Sequence, residues 1–360
     1  MKQPCPSHPC RLASLFVLAA VFLLGPSACN RKGHRVLEVN YVSAVQATLR
    51  DQVATMYNRV GTVKNGDRVE VLEHEKRFSR VRTADGIEGW IEQRYLVDQQ
   101  TYDGLEKLTR ENLNDPVQAP GALRNDTNLH LTPGRETEHL YQLSAGAKVS
   151  VLKRATAEKQ PGAALAPARV EGKTSGKSTS GPLLEDWWLV RDAQNRVGWV
   201  LARMVDLDVP LEVAQYAEGQ RFVAFFVLNQ VPDAGREGTD ADKEKKVSQY
   251  LCAITEPHDG LPYDYDQIRV FTWNVRKHRY ETAYREHALK GVLPVTVTSE
   301  NFDKEGTLPV FILRVKDDAG NVSERKYKLN TPMVRRVLAP GEQKAAPSAA
   351  PRAAPKRRRR

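Results

Sequence analysis

Long apolar runs are scarce in this sequence. The longest, Leu12 to Leu24, spans about 13 residues, short of the roughly 20 that a membrane-spanning helix needs. With 41% apolar and 27% charged residues, the chain is too polar for a multi-spanning membrane protein. Cysteine is scarcer still. Of the four, Cys5, Cys10 and Cys29 lie at the N-terminus, which leaves Cys252 alone in the body. One thiol excludes an intrachain disulfide framework and a cysteine metal site. Its surroundings, Tyr250-Leu251-Cys252-Ala253-Ile254, read as core in which the thiol is a small hydrophobe. Histidines number eight, and His278 and His287 have no cysteine or third histidine near them, which gives zinc poor support. No glycine loop of the phosphate-cradling kind and no Gly-x-Ser-x-Gly elbow occurs. No cofactor is implied.

Acidic residues are outnumbered 44 to 54, for a net charge of +10. The excess sits at the ends. Residues 344–360 hold seven basic residues and no acid, and residues 1–28 hold Lys2, Arg11 and no acid. Between 29 and 343 there remain 45 basic and 44 acidic residues. A nearly neutral body gives no electrostatic reason to expect nucleic acid. The Ala/Pro/Arg-rich segment 336–360 lacks the apolar residues of a core and is expected to be disordered. Its terminal Lys356-Arg357-Arg358-Arg359-Arg360 suits contact with anionic lipid or an acidic wall polymer, or a solvated tail.

What is present begins with an address. Lys2 and Arg11, the short apolar run and the small residues Gly25 to Ala28 are signal-peptide features. Ser27-Ala28-Cys29, with Leu23 and Leu24 upstream, resembles the bacterial lipoprotein box. That resemblance implies a leader over 1–28, lipidation at Cys29 and a membrane anchor. Asn30 after the cysteine is not the aspartate associated with inner-membrane retention, so the outer membrane is favoured over the inner one.

The chain also aligns with itself. At a shift of 80, Leu49 falls on Leu129, Val60 on Leu140, Val63 on Leu143 and Gly66 on Gly146. Val69, Val71 and Leu72 fall on Val149, Val151 and Leu152. A second block then matches Val81-Arg82 to Val190-Arg191, Gly89-Trp90-Ile91 to Gly198-Trp199-Val200, and Leu96 to Val205. The second copy is therefore 29 residues longer between the two blocks, and the composition of 155–182, where the extra length sits, reads as a flexible surface loop. Alternation such as Arg68-Val69-Glu70-Val71 and Lys148-Val149-Ser150-Val151, with glycine-bearing turns, predicts half-buried antiparallel strands. Between the copies, leucines at helical spacing from Tyr102 to Leu113 predict a connecting helix within 99–120, ended by Pro116.

Gly66-x-x-Val69-x-Val71-Leu72, Val81-Arg82, Asp85-Gly86, Gly89-Trp90-Ile91 and Tyr95-Leu96 resemble the bacterial SH3-like domain. Leu129-x-Leu131-x-x-Pro133-Gly134, Gly146, Val149-x-Val151, Trp187-Trp188-x-Val190-Arg191 and Gly198-Trp199-Val200 resemble it again. The resemblance implies two small barrels, over 36–98 and 121–208. Of the family's opening stretch only Leu49-Arg50 survives in the first copy, and His130 replaces the arginine in the second. The implied role is noncovalent binding of cell-wall peptide or of an envelope protein. The candidate contacts are Trp90 and Tyr95 in the first copy and Tyr141, Trp187, Trp188 and Trp199 in the second. Aromatic faces bury much area at low entropy cost. In this fold the tryptophan of Gly-Trp usually packs into the barrel, which is the structural reading of Trp90 and Trp199. Trp187 and Trp188 are adjacent, so on a strand they point to opposite faces and one should face outward.

Beyond residue 210, strand signals return at Arg221–Leu228, Val247–Thr255, Gln267–Val275, Arg279–Arg285, Leu293–Thr298, Leu308–Val315 and Val322–Leu329. Turns are expected at Arg276-Lys277-His278 and Asp317–Asn321. About seven strands over 211–335 predict an antiparallel sandwich, immunoglobulin-like or similar. Glu256-Pro257-His258-Asp259-Gly260 with Asp264 and Asp266 is the densest set of oxygen ligands, but it lacks the order of a calcium loop and reads as a solvated acidic turn. The expectation is an all-β, lipid-anchored envelope protein without catalysis. A scaffold subunit of an envelope complex is one alternative. A wall or glycan hydrolase with its site in 211–335 is another, since a carboxylate pair is set by three-dimensional geometry.

Overall fold

The computed structural model describes residues 35–159, 183–233 and 246–338. The expected leader with Cys29, most of the insertion and the basic tail lie outside the described residues. No described helix is long and apolar enough to cross a membrane.

The N-terminal unit is one antiparallel sheet of β1 (Glu38–Val42), β2 (Gln46–Arg50), β3 (Arg59–Lys64), β4 (Arg68–Glu75), β5 (Phe78–Thr83), β6 (Glu88–Glu92) and β7 (Leu96–Asp98). Its strand order is β3-β2-β6-β5-β4-β1-β7. The alternating residues read from sequence meet in one cluster of Val42, Ala47, Leu49, Val63, Val69, Val71, Val81 and Ile91. Side chains from six strands reach one core only because the sheet curls. It does not close: β3 pairs with β2 alone and β7 with β1 alone, so the expected barrel is an open curled sheet.

The middle unit repeats this strand for strand: β8 (Ala119–Leu123), β9 (Thr127–His130), β10 (His139–Leu143), β11 (Lys148–Glu158), β12 (Leu184–Asp192), β13 (Val197–Leu201) and β14 (Val205–Leu207). The order is β10-β9-β13-β12-β11-β8-β14. The shared Gly-Trp motif now has a physical reason. A Cβ built on Gly89 would lie 2.8 Å from Leu49 Cβ, and one on Gly198 would lie 2.7 Å from Leu129 Cβ. The curl drives β6 onto β2, and β13 onto β9, closer than any side chain allows. The neighbouring Ile91 and Val200 fill the cores. Trp90 and Trp199 therefore point to the outer faces, half-buried, rather than into a barrel. The insertion is also narrower than its composition suggests. Ala155–Glu158 continues β11, with the small Ala155 and Ala157 opposite Trp187 and Glu185 on β12. Tertiary pairing overrides a weak local propensity here.

The connecting helix is α1 (Gln99–Asn112). It begins three residues earlier than its leucines indicate, because Asp98 caps it by accepting from Thr101 N at 2.8 Å. It is a joint more than a linker. Leu105 is 1% exposed between Tyr41 of the N-terminal unit and Leu140 of the middle unit, and Tyr102 stacks on Tyr41 at 4.0 Å. Burying a leucine this completely contributes about 1.5–3 kcal/mol. Its other end, at Leu108, covers the Leu152, Leu189 and Val197 cluster of the middle unit, together with Trp199. Asn65 ties the units directly, donating from Nδ2 to Leu140 O at 2.7 Å.

The C-terminal part follows α2 (Leu211–Ala214). It comprises β15 (Arg221–Pro232), β16 (Lys246–Thr255), β17 (Gln267–Asn274) and β18 (Arg279–Glu286) in one sheet. A second sheet holds β19 (Gly291–Asn301), β20 (Thr307–Lys316), β21 (Val322–Asn330) and β22 (Met333–Val337). Every strand expected from sequence is present, and β22 is additional. The topology differs from an immunoglobulin domain. Each sheet is a four-strand meander, and the chain changes sheet once, between β18 and β19. The inward residues, among them Val223, Leu251, Val270, Phe311, Leu313 and Tyr327, form one cluster that continues into the middle-unit core. Gln118 stitches this joint. It donates from N to Val151 O and accepts from Phe225 N, and its amide exchanges bonds with Val295 N and O. One side chain and its backbone thus bridge the middle unit and both sandwich sheets.

Candidate functional site

The N-terminal unit carries a groove of about 560 Å³ where the β2–β3 loop faces the tip of the β4–β5 hairpin. The loop is held in shape by Asp51, whose carboxylate accepts from Asn58 N at 2.8 Å and Asn58 Nδ2 at 2.9 Å. Those bonds hold the Asp51 carboxyl below the ordinary range. Val53, Ala54 and Thr55 thereby form one wall, and Lys76, Arg77 and Phe78 the other. Arg50, at the end of β2, forms the floor. Its guanidinium lies 4.1 Å from the Tyr57 ring and 5.1 Å from the Phe78 ring, within cation–π range of both. It also reaches Glu92 at 3.5 Å. Three cations and no carboxylate line this groove. The geometry suits an extended ligand with an apolar surface and a carboxylate.

The middle unit has a smaller groove, about 250 Å³, which shares two positions with the first and is otherwise walled by different strands, with Asp126, Asn128, Leu201 and Arg203 among its lining. The self-alignment puts His130 where the first copy has Arg50, and Trp187 where it has Phe78. The two rings again meet, edge to face at 5.3 Å. Burial, then the neighbouring His139, pushes the His130 imidazole below its ordinary range, which favours its neutral form. Its Nδ1 lies 3.1 Å from both Thr137 O and Oγ1. Arg203 supplies charge to this groove, while Arg135 is engaged with Glu185, from Nε to Oε2 at 2.7 Å. The second groove is thus tighter and less cationic than the first.

These placements sort the aromatic candidates. Trp187 does line a groove, but at 2% exposure, and Trp188 is 3% exposed. Their alternation is as expected: Trp188 shares the core face with Val190, and Trp187 faces the other way with Leu189. The expectation that one would face solvent fails, because His130 covers the second face at Trp187. Trp90 flanks the first groove, as the cross-strand partner of Arg50 and Arg80 on the outer face. Trp199 packs under α1 against Leu152, Leu189 and Val197. Tyr95 lies at the edge of the N-terminal core beneath Arg94, whose guanidinium is 4.7 Å from the ring. Tyr141 is packed at the joint of the two units, 4.4 Å from Arg196, and burial pushes its hydroxyl up to about 12. The residues that sequence reasoning passed over are Arg50, Tyr57, Phe78 and Arg77. The signal for them was the surviving Leu49-Arg50, read together with the alignment of Phe78 on Trp187.

The remaining candidates are structural. Cys252 is fully buried and burial pushes its thiol up to about 12. In the 256–266 segment, Asp259 pairs with Arg221 at 2.8 Å and Asp264 with Arg154 at 3.2 Å. The segment is therefore a docking loop against the middle unit more than a solvated acidic turn. Among the described residues no three His, Cys, Asp or Glu side chains converge as a metal site.

The bacterial SH3 domain family matches residues 46–97, within the N-terminal unit. No curated protein matches the chain. Three solved structures show distant likeness. An NlpC/P60 family protein from Bacillus cereus ATCC 10987 is 10% identical, with 51% of this chain and 64% of that chain covered and a TM-score of 0.22. NlpC2 from Trichomonas vaginalis is 11% identical over 80% and 96% of the two chains, at a TM-score of 0.16. NlpC1 from the same organism is 10% identical over 83% and 90%, also at 0.16. The chain thus spans under two thirds of the Bacillus protein.

Proposed function

We propose that this is a lipid-anchored bacterial envelope protein whose two SH3-like units bind cell-wall peptides without catalysis. The bacterial SH3 match at 46–97 supports a wall-associated role for the N-terminal unit. The observation that carries the binding reading is the recurrence of one polar–aromatic pair, lining a groove in each unit. Arg50 over Phe78 and His130 against Trp187 are the same two positions of one fold, occupied by a nitrogen-bearing side chain over an aromatic ring. Curled sheets use most of their side chains for the core, so a repeated polar–aromatic pair on a concave outer face points to a ligand. Wall peptides are short, extended and rich in carboxylates, which matches the cationic, apolar-walled groove at Arg50. The anchor would be lipid on Cys29. The tail would rest on anionic lipid or wall polymer, and the outer membrane, facing the periplasm or the cell surface, is favoured over the inner membrane.

The test is cosedimentation of the leaderless protein with purified peptidoglycan. Wild type should be retained, and Arg50→Gln should reduce retention by about tenfold or more, the worth of one charge-assisted contact. Trp187→Phe should weaken it less, since the second groove is narrower. Retention unaffected by both changes together would refute the wall-binding reading and favour the scaffold alternative.

A further inference from the structure

Where the middle unit meets the sandwich lies a second concavity of about 540 Å³, separate from the Arg50 groove. Its floor is apolar, made by Trp188 and Val205 of the middle unit and Phe222 at the start of β15. Its rim is charged, and almost every charge is already used. Arg124 donates from Nε to Asp206 at 2.7 Å. Arg221 spends its two terminal nitrogens on Asp186, at 2.6 Å, and Asp259, at 2.8 Å. Two features are left over. Arg203 makes no hydrogen bond or salt bridge among the described residues, and Glu185, the anion nearest in effect, is held by Arg135. The Nε of Arg221 is buried without an acceptor. Of the three arginines that line the cavity, Arg203 alone has no ion-pair partner among the described residues, so one guanidinium is left over an apolar floor.

We propose that this interdomain cavity binds a monocarboxylate with an apolar body, its carboxylate on Arg203 and its body against Phe222. The volume falls in the range of small-molecule sites and is too large for a lone ion. A guanidinium free of partners presents a planar fork of donors matched to a carboxylate. A dianion would exceed the single free charge and meet Asp206 and Asp259. A cation would displace arginines from pairs they already make. A C-terminal peptide end and a free aliphatic acid share the required chemistry. The cavity is built by the joint itself, so neither the middle unit nor the sandwich contains it alone.

Isothermal titration of the leaderless protein with N-acetyl-dialanine, its C-terminal amide and hexanoate tests the proposal and separates the two sources. One of the two acids should bind saturably, and which one binds identifies the source. The amide should bind at least about tenfold more weakly. Arg203 also borders the middle-unit groove, so two further variants localise the site. Arg203→Gln and Phe222→Ala should each weaken binding about tenfold or more, and His130→Gln, which lies only in the groove, should leave it unchanged. Arg203 is exposed, so its replacement leaves the fold intact whatever Phe222→Ala does. No saturable binding of either acid at about 10 mM, equal binding of the amide, or loss with His130→Gln and not with Arg203→Gln would overturn the proposal. The titrations are run on the Arg50→Gln protein, so that none of these outcomes depends on wall binding at Arg50.

Discussion

Asp186→Asn is the most informative single perturbation of the fold. Asp186 is fully buried on β12, and its carboxylate accepts from Arg154 Nη2 at 2.6 Å, Arg221 Nη2 at 2.6 Å and Gly260 N at 3.0 Å. Arg154 is itself buried and also reaches Asp264 and the carbonyls of Leu261 and Tyr263. This one carboxylate holds the middle unit to the first strand and the 256–266 loop of the sandwich. Burial by itself would raise its protonation point. The Arg154 bond, the Gly260 amide and the two guanidinium charges outweigh burial and hold it below the ordinary carboxyl range. Removing one partner of such a buried set typically costs about 3–5 kcal/mol. Asparagine keeps one acceptor oxygen, so the low end, about 3 kcal/mol, is expected. At about 2–4 °C per kcal/mol for a body of this size, the melting temperature should fall by about 6–12 °C. Asp264 is the internal control. Burial, the largest influence on it, leaves its carboxyl above the ordinary range despite Arg154 and the Leu293 amide, so its neutral form is already tolerated. Asp264→Asn should therefore cost much less. The pH dependence has opposite sign at the two sites. Asp186, depressed in the fold, contributes stability that is present above about pH 4 and lost as pH falls through its lowered value. Asp264, raised in the fold, weakens the fold as pH rises through its own value. Thermal melts by circular dichroism between about pH 3 and 7 measure both. A drop of under about 2 °C for Asp186→Asn, or an equal cost for Asp264→Asn, would refute this account of the joint.

Other expectations follow from single features. Gly198→Ala forces a Cβ to 2.7 Å from Leu129 Cβ and 3.3 Å from Leu129 Cα, and should cost about 1–3 kcal/mol as an overpacked contact; a melt equal to wild type would deny the close β13–β9 approach. Leu105→Ala should cost about 2–5 kcal/mol and loosen the N-terminal unit from the middle unit, visible as an increased radius in small-angle scattering; unchanged dimensions and stability would show that α1 is only a tether. Cys252, its thiol pushed up to about 12 by burial, should stay protonated and unreactive to an aromatic disulfide reagent between about pH 6 and 9 and react once the protein is unfolded in denaturant.

Much of the architecture was legible because it rests on local rules. Apolar runs bounded by turn signals located every strand of the sandwich expected from Arg221 to Leu329, with turns at Arg276–His278 and Asp317–Asn321. The 80-residue repeat anticipated two units, and the structure gives them the same strand order. Helical leucine spacing found α1, and the Asp98 cap that sets its start is a signal the spacing does not contain.

Residue order alone tells which side chains share a face of a strand; what packs against that face depends on how the sheets curl and meet. Trp187 and Trp188 alternate as adjacent strand residues must, yet both are covered, one by His130 and one by the sandwich side of its own unit. Gly89 and Gly198 are recognisable as a motif, but their need for zero side chain follows from the curl of the sheet, which also turns Trp90 and Trp199 outward. The grooves gather Arg50 with Phe78 and His130 with Trp187 from strands far apart in the chain. The interdomain cavity needs Arg203 and Phe222 from different units. Periodicity is a property of a few consecutive residues, whereas concavity and ion pairing are properties of surfaces that meet only after the chain has folded.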